Sequence, residues 1–388
     1  MIKKNKSYNK NFSYKIFLVS GGTGGHSFPA RALADSFITH GYAPHIICEQ
    51  RGFDYFKHYF GQTSSARLYK IPLKSPQGGI GKKIISLLSL LLAIYPLIKL
   101  FRLEKPDILI GFGGYMMVPS FLAARWLGIR HIFLEQNMVM GRANRLFASS
   151  ASAIATGLPQ CRGILKKQQN KTYFVGTPIK QEFLQKKPKR KFTNHPISLL
   201  ITGGSQGARS FATILPKAIE KAMAISSYKN ITIQQQANPD QLVYLQKTYK
   251  KMAIKHDVRE FFYDVPKKLA NADIFIGRAG ASTIAEISAM AMPSILIPFP
   301  FATDNHQYYN AKWLCDKQSC RLVVEPKTSN LKLYDAVSDS LAMHIVDLIN
   351  SPAKRRQLSH RIGYFAKKNA SFELMKLAIS TIEKTSIK

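Results

Sequence analysis

Asp273 to Asn310 reads DIFIGRAGASTIAEISAMAMPSILIPFPFATDNHQYYN, and the fold is decided there. Asp273 to Gly277 is a short apolar run, the pattern of a buried strand. Arg278-Ala279-Gly280-Ala281 is a tight turn of mostly small residues. Thr283 then opens an apolar-periodic segment with Glu286 three residues on, a helix-start signature. Met292-Pro293 stops that helix. Ser294 to Pro298 reads as a second strand, and a polar loop from Asp304 through His306 to Gln307 follows. In an open parallel sheet, ligands bind beyond the carboxyl ends of strands. Both the turn after Gly277 and the loop after Pro298 lie at such ends. Free amides at a helix start favour an anion. Glu286, one turn in, is placed to hold a diol or to cap its own helix. The polar loop suits a sugar. Together these features point to a nucleotide-diphosphate sugar.

The chain outside this stretch is long and basic. Its 388 residues suggest two domains, and 46% hydrophobic content can fill large cores. Lys plus Arg is 56 against 22 for Asp plus Glu, a formal net charge of +34. That balance fits nucleic acid, an anionic membrane surface or anionic substrates. It also fits a solvated basic surface. Clusters lie near Lys3–Lys10, Lys166–Lys171 and Lys186–Lys191, but no nucleic-acid module has its usual signature, so no nucleic-acid partner is expected. Cys48, Cys161, Cys315 and Cys320 form no CxxC pair and no Cys/His cluster with metal spacing. They read as reduced thiols of a cytoplasmic protein. The apolar run Ile16 to Val19 is too short for a signal peptide.

Residues 1–13 read as a loose basic tail. Lys15 to Ser20 is strand-like and runs into Gly21-Gly22-Thr23-Gly24-Gly25-His26, with a helix expected from Pro29 to His40. This unit is either a phosphate cradle or a plain tight turn. It is not the dinucleotide fingerprint, because Ser27 falls where a third glycine would stand. His26 beside it is either structural or a base working near pH 7. Strands follow at 42–48, at Pro106 to Gly111 before Gly113-Gly114-Tyr115, and at His131 to Leu134 before Glu135-Gln136-Asn137. Short strands at Ala153 to Ala155 and Tyr173 to Val175 come after. Residues 82–102 form a helix apolar on nearly all faces, flanked by Lys82, Lys83, Lys99 and Arg102. The uncharged run is short for crossing a bilayer. It suits either a core helix or one seated in a membrane interface.

After a basic, Pro-containing linker at 176–196, the pattern restarts. Ile197 to Thr202 is a strand, Gly203 to Ala208 a glycine loop and 209–224 a helix. Further strands are expected at Ile231 to Gln234 and at Val258 to Phe261, the latter leading to Phe262. The two halves open alike, so an α/β architecture of two Rossmann-like domains facing each other is expected. The last segment, from Ser371, carries Phe372, Met375, Ala378, Ile379 and Ile382 roughly on one face.

Taken together, GGTGGHSFPA (21–30), GFGGY (111–115), LEQN (134–137), GTPIK (176–180), GGSQGA (203–208), GRAGASTIAE (277–286) and DNHQYYNA (304–311) resemble the MurG family of bacterial N-acetylglucosaminyltransferases. The resemblance covers nearly all of residues 14–386. It implies a GT-B fold with an acceptor- and membrane-binding domain at 1–175, a UDP-sugar domain at 197–365, and a C-terminal helix at 366–388 that packs back on the first. It implies inverting transfer of N-acetylglucosamine from UDP-GlcNAc to lipid I, at the cytoplasmic face of the inner membrane. Other cell-wall synthesis enzymes are implied as partners, with no cofactor and no metal.

The resemblance also implies residue roles. Ala281, Ser282 and Thr283 supply amides to the donor, Ser205 touches its phosphates, Glu286 binds the ribose, Phe262 sits at the uracil, and Gln307 binds the sugar beside His306. Thr23, Gly24, Gly25 and Asn137 complete that site. His26, Tyr115, Glu135 and Asn137 line the acceptor cleft, with His26 the first candidate general base and Glu135 the second. Lys180 replaces a usual arginine, turning a bidentate contact into a point charge. Val118 replaces a common glycine, and Gln234-Gln235 stands for a histidine-glutamine pair. The rival readings are a glycolipid-forming UDP-sugar transferase, a UDP-GlcNAc epimerase on the same architecture, and a non-catalytic sugar-nucleotide-binding subunit. The apolar 84–98 helix speaks against the epimerase, whose soluble substrate needs no membrane face. Intact His26, Asn137 and Glu286 speak against the non-catalytic reading.

Overall fold

The computed structural model describes residues 14–386 except 62, 63, 74–79, 187, 189, 194, 195, 205, 206, 329 and 330, and not the side chains of 80–84, 331, 332, 385 and 386. The tail with Lys3–Lys10, Ser205 of the glycine loop and part of the Lys186–Lys191 cluster lie outside the described residues.

The first half runs β1 (Ile16–Val19), α1 (Gly24–Thr39), β2 (His45–Cys48), α2 (Gln50–Phe60), β3 (Arg67–Lys70), α3 (Ile80–Glu104), β4 (Ile108–Gly111), α4 (Met117–Trp126), β5 (Arg130–Glu135), α5 (Arg142–Phe147), β6 (Ala153–Thr156), β7 (Thr172–Phe174) and α6 (Gln181–Gln185). The second half runs β8 (Ile197–Thr202), α7 (Phe211–Ile225), β9 (Ile231–Gln236), α8 (Leu242–Lys251), β10 (Lys255–Arg259), α9 (Val265–Asn271), β11 (Ile274–Gly277), α10 (Ala281–Ala289), β12 (Ser294–Leu296), α11 (His306–Asp316), β13 (Arg321–Leu322), α12 (Leu331–Ile349), α13 (Pro352–Gly363) and α14 (Ala370–Ser386).

Among the described residues, the first sheet has seven strands in the order β3-β2-β1-β4-β5-β6-β7, and the second has six in the order β10-β9-β8-β11-β12-β13. Every described pairing within them is parallel. Each order reverses once, between β1 and β4 and between β8 and β11. The carboxyl side of such a reversal leaves an open crevice. GGTGGH follows β1 and GFGGY follows β4, while the loop 203–208 follows β8 and the turn at Arg278 follows β11. All the glycine turns singled out in the sequence therefore fall at the two crevices.

Alternation along β1 shows why both faces are covered. Ile16 and Leu18 pack with α1 and α14, and Phe17 and Val19 pack with α3 and α4. Helix α14 buries Leu374, Met375, Ala378, Ile379 and Ile382 on the first sheet's layer, so the C-terminal segment returns to the first half. Phe372 stays at the rim, 39% exposed, against the sequence expectation. Each of the buried Leu, Met and Ile side chains contributes about 1.5–3 kcal/mol.

Several boundaries differ from the sequence reading. Helix α1 starts at Gly24, with Thr23 extended as its N-cap, and holds Pro29 inside. As the sixth helical residue, Pro29 has no N–H to give the Gly25 carbonyl, so one bond is missing from the ladder there. Strand β10 lies at Lys255–Arg259, not Val258–Phe261. It is an edge strand with Val258 as its buried residue, so no apolar run marks it. Helix α10 starts at Ala281, with extended Gly280 as N-cap. Thr283 is thus inside the helix, and the capping-box reading of Thr283 and Glu286 fails. His306 and Gln307 open α11 instead of lying in a loop.

Candidate active site

In the first half, the site is built on a glycine cradle for His26. Thr23 Oγ1 and His26 Nδ1 are hydrogen-bonded at 3.0 Å. The imidazole lies against the turn after β4, where Gly113 and Gly114 have φ of 85° and 80°. A Cβ on Gly114 would lie 3.0 Å from ring atoms Cε1 and Nδ1, and one on Gly113 would lie 3.4 Å from Nε2. Side chains there would displace the ring, and the left-handed backbone favours glycine in any case. Burial, helped by the charge of His306, lowers the His26 pKa to about 4. The ring is neutral at pH 7. His306 belongs to α11, so the two halves meet here.

Glu135 ends β5 and is 1% exposed. Its Oε1 accepts from the Asn137 backbone N–H at 3.0 Å and from Asn137 Nδ2 at 3.2 Å. Its Oε2 accepts from the Gly141 N–H and from Asn144 Nδ2, both at 2.7 Å. Burial raises its pKa and these hydrogen bonds oppose that. An ionised carboxyl has about four acceptor sites, and all are taken. Glu135 therefore does not have a free lone pair for a substrate proton. Its geometry is that of a residue that positions Asn137.

Asn137 in turn reaches the second half. Asn310, fully buried on α11, donates from Nδ2 to Asn137 Oδ1 at 3.0 Å and to the Ala279 carbonyl at 3.1 Å. Its Oδ1 accepts from the Met138 N–H at 2.8 Å. One amide thus joins the corner after β5 to the turn before α10. Sequence reading quoted DNHQYYNA without singling out Asn310. The signal was a polar residue next to Ala311, Trp313 and Leu314, all buried. Asp304 adds ion pairs to Arg142 at 3.3 Å and Arg145 at 3.8 Å. Asp304 and Asn305 both sit in the left-handed region, with φ of 51° and 55°. Asp and Asn bear that conformation better than most side chains.

The second half presents the start of α10. Gly280 offers no side-chain cap, and the first intrahelical bond is Ile284 N–H to Gly280 O. The amides of Ala281, Ser282 and Thr283 are the free ones at this terminus. Ser282 Oγ is buried with no protein partner. Glu286 lies one turn on, its carboxyl pushed up to about 7 by burial and held down in part by Lys180. Lys180 comes from the segment between the sheets, and burial lowers its pKa while Glu286 raises it. Its Nζ stands 4.5 Å over the Phe28 ring of α1. Gln307 Oε1 accepts from the Phe299 N–H at 3.0 Å, anchoring the loop after β12. His306 Nδ1 bonds the Thr303 carbonyl at 2.8 Å.

One expected residue stands apart. The Phe262 ring is 3% exposed, in the core, with Lys268 Nζ 4.3 Å from its centre. A base laid at this loop would meet the Phe262 backbone, not its ring. Tyr115 is half-buried near Glu49 and Arg51; burial, then Glu49, raises its pKa against Arg51. Gly24 and Gly25 form the first turn of α1.

Residues 16–156 match the glycosyltransferase family 28 N-terminal domain, and residues 198–361 match the family 28 C-terminal domain. A Rickettsia bellii protein named "UDP-N-acetylglucosamine--N-acetylmuramyl-(pentapeptide) pyrophosphoryl-undecaprenol N-acetylglucosamine transferase" is 36% identical over 362 residues, covering 90% of this chain and 97% of its own. A Rickettsia canadensis protein of the same name is 34% identical over 351 residues, again covering 90% and 97%. Among solved structures, Acinetobacter baumannii MurG superposes with a TM-score of 0.74 at 24% identity, covering 95% of this chain and 99% of its own. The UDP-GlcNAc 2-epimerase of Neisseria meningitidis shares the fold at a TM-score of 0.62 and 12% identity, covering 94% and 100%. With both domains matched in order and relatives at 34–36% identity along nearly the whole chain, this protein belongs to the MurG family of glycosyltransferase family 28.

Proposed function

We infer that this chain transfers N-acetylglucosamine from UDP-GlcNAc to the C4 hydroxyl of the muramyl sugar in lipid I. The observation that carries this reading is the joining of the two crevices. Asn310 ties the Glu135–Asn137 corner of one to the Ala279 turn of the other, so a donor on α10 would face an acceptor at His26.

The diphosphate lies on the amides of Ala281, Ser282 and Thr283, with the orphan Ser282 hydroxyl and Ser205 as further donors. The ribose diol takes Glu286, with Lys180 holding its charge. The uracil lies at the Phe262 backbone, and the sugar at Gln307 and His306. Thr23, Gly24, Gly25 and Asn137 close the site from the first half, and Tyr115 lines the acceptor side. In the chemical step the C4 oxygen forms a bond to C1 of the donor sugar. The C1–O bond to phosphate breaks, and UDP leaves with the electron pair. When His26 Nδ1–H donates to Thr23, Nε2 is left with its lone pair to take the hydroxyl proton.

The acceptor is a membrane lipid, and α3 suits the surface that carries it. Helix α3 buries Ala93, Leu97, Ile98 and Phe101 and exposes Leu87, Leu88, Leu91, Leu92 and Tyr95, the last two at 75%. Lys99, Arg102 and Lys105 follow on the same element and its end. An apolar face with basic neighbours fits docking on the cytoplasmic leaflet.

Incubation with labelled UDP-GlcNAc and a lipid I analogue tests the reading. Label in the lipid fraction, matched by free UDP, is the expected result. Label retained in an epimerised nucleotide sugar, formed without acceptor, would favour the epimerase.

A further inference from the structure

Arg278 follows β11 in the turn that leads to α10, and it is 6% exposed. Its guanidinium is held on several sides. Nη1 donates to the Ile297 and Pro298 carbonyls after β12, at 3.1 Å each. It also donates to Glu325 Oε2 after β13, at 2.6 Å. Nη2 donates to Ser210 Oγ at 3.0 Å, and Ser210 is the N-cap of α7. The Phe211 and Phe299 rings lie 4.6 Å and 5.5 Å from Cζ. From its own place after β11, one side chain thus reaches the segments behind β8, β12 and β13. The turns behind β8 and β11 flank the second crevice.

A buried ion pair is a poor device for stability alone, since desolvating both charges offsets most of their attraction. The planar fork of arginine has another property: several donors in fixed relative directions. A lysine would keep the charge and lose that geometry.

We propose that Arg278 is a positioning residue for the donor diphosphate, locking the start of α7, at Ser210, to the amides that open α10. Its described N–H contacts are all to protein acceptors, the arrangement of a residue that holds the turn in place. The two helix starts then hold one spacing in the free enzyme, and donor binding need not set it. The proposal rests on the donor-site reading above.

Ser210 separates positioning from folding. Ser210→Ala removes one acceptor and leaves the Glu325 pair and both carbonyl contacts in place. The expected result is a donor KM raised roughly 3- to 10-fold. The values of kcat and acceptor KM should stay near wild type, the pattern of lost uniform binding. Ser210→Thr, which keeps the hydroxyl, should restore donor KM. Arg278→Lys should raise donor KM further, by roughly 10- to 100-fold. Wild-type donor KM in both Ser210→Ala and Arg278→Lys would overturn the proposal, and so would a loss of melting temperature with no change in donor KM. Calorimetry with UDP keeps the two readings apart. A wild-type enzyme that does not bind UDP defeats the donor site itself. Wild-type and variant enzymes that bind UDP equally defeat only the role of Arg278.

Discussion

Asn310 Nδ2 lies 3.0 Å from Asn137 Oδ1, and through this hydrogen bond a buried side chain of the second half fixes a residue of the first. The same nitrogen donates to Ala279 O, and the Asn310 oxygen accepts from Met138 N–H. All the groups of the amide that face protein are paired. The prediction is that Asn310→Asp is worse than Asn310→Ala. The aspartate sets an oxygen against two acceptors, Asn137 Oδ1 and Ala279 O, in a buried site. Leaving such groups unpaired costs on the order of 1–3 kcal/mol each. A fall in kcat/KM of at least about 100-fold for Asp is expected, with a smaller fall for Ala. Steady-state kinetics on both variants, with thermal melts, check the order; Asp at wild-type activity would refute it.

Glu135 should behave as a positioning residue. Glu135→Gln keeps the shape but turns one acceptor into a donor aimed at N–H groups. Loss of stability on the order of 1–3 kcal/mol is expected, together with weakened catalysis. A true general base would give a stable protein with a lost basic pH dependence. Denaturant melts alongside the pH profile distinguish these outcomes.

The pH dependence should separate His26 from Glu286. The folded pKa of His26 is depressed to about 4. Its contribution to stability is therefore complete above the unfolded value near 6.5 and is lost as pH falls toward 4. Turnover should show no titration of His26 near pH 6.5. Glu286 is shifted the other way, to about 7. The folded chain holds its proton from about pH 4.5 to 7. In the free enzyme this group's contribution to stability is thus present at low pH and lost as pH rises through 7. The diol needs the ionised form, so UDP affinity should rise between about pH 6 and 8. Glu286→Gln should flatten that rise and weaken UDP binding roughly 10-fold or more. Since Gly280, and not Thr283, caps α10, neither Gln nor Ala should cost helix stability through a lost cap. Calorimetry with UDP across pH 6–8 decides; an unchanged slope in the Gln variant would remove Glu286 from the donor site.

Helix α3 should carry membrane binding. Leu88 and Leu92 are 53% and 75% exposed, so Leu88→Glu with Leu92→Glu should leave the melting temperature near wild type. Flotation with anionic liposomes should fall, because each buried leucine contributes about 1.5–3 kcal/mol and each nearby basic residue about 1 kcal/mol. Wild type should also float less at high salt. Equal recovery of variant and wild type with the liposomes would exclude this face.

The architecture was legible where apolar runs end in glycine. Val19, Gly111, Thr202 and Gly277 close buried parallel strands, and each is followed by one of the quoted turns. What escaped depends on the partner across space. Asn310 reads as one more polar residue on a helix until Asn137, far away in sequence, is placed against it. Glu135 carries the same chemistry as a base until Gly141 and Asn144 fill its lone pairs. Strand β10 escaped because an edge strand with one buried residue needs no apolar run. The Phe262 ring looked available because a loop after a strand is usually exposed, but the core under Lys268 takes it.

Transfer of the sugar between the facing crevices is expected to proceed with inversion at C1. The most direct measurement is product stereochemistry, using α-linked UDP-GlcNAc labelled with carbon-13 at C1 and a lipid I analogue, followed by NMR. A β-linked disaccharide on the lipid and one free UDP for each bond formed are the expected result. An α-linked product, or a label that remains on the nucleotide with altered configuration at C2, would contradict it.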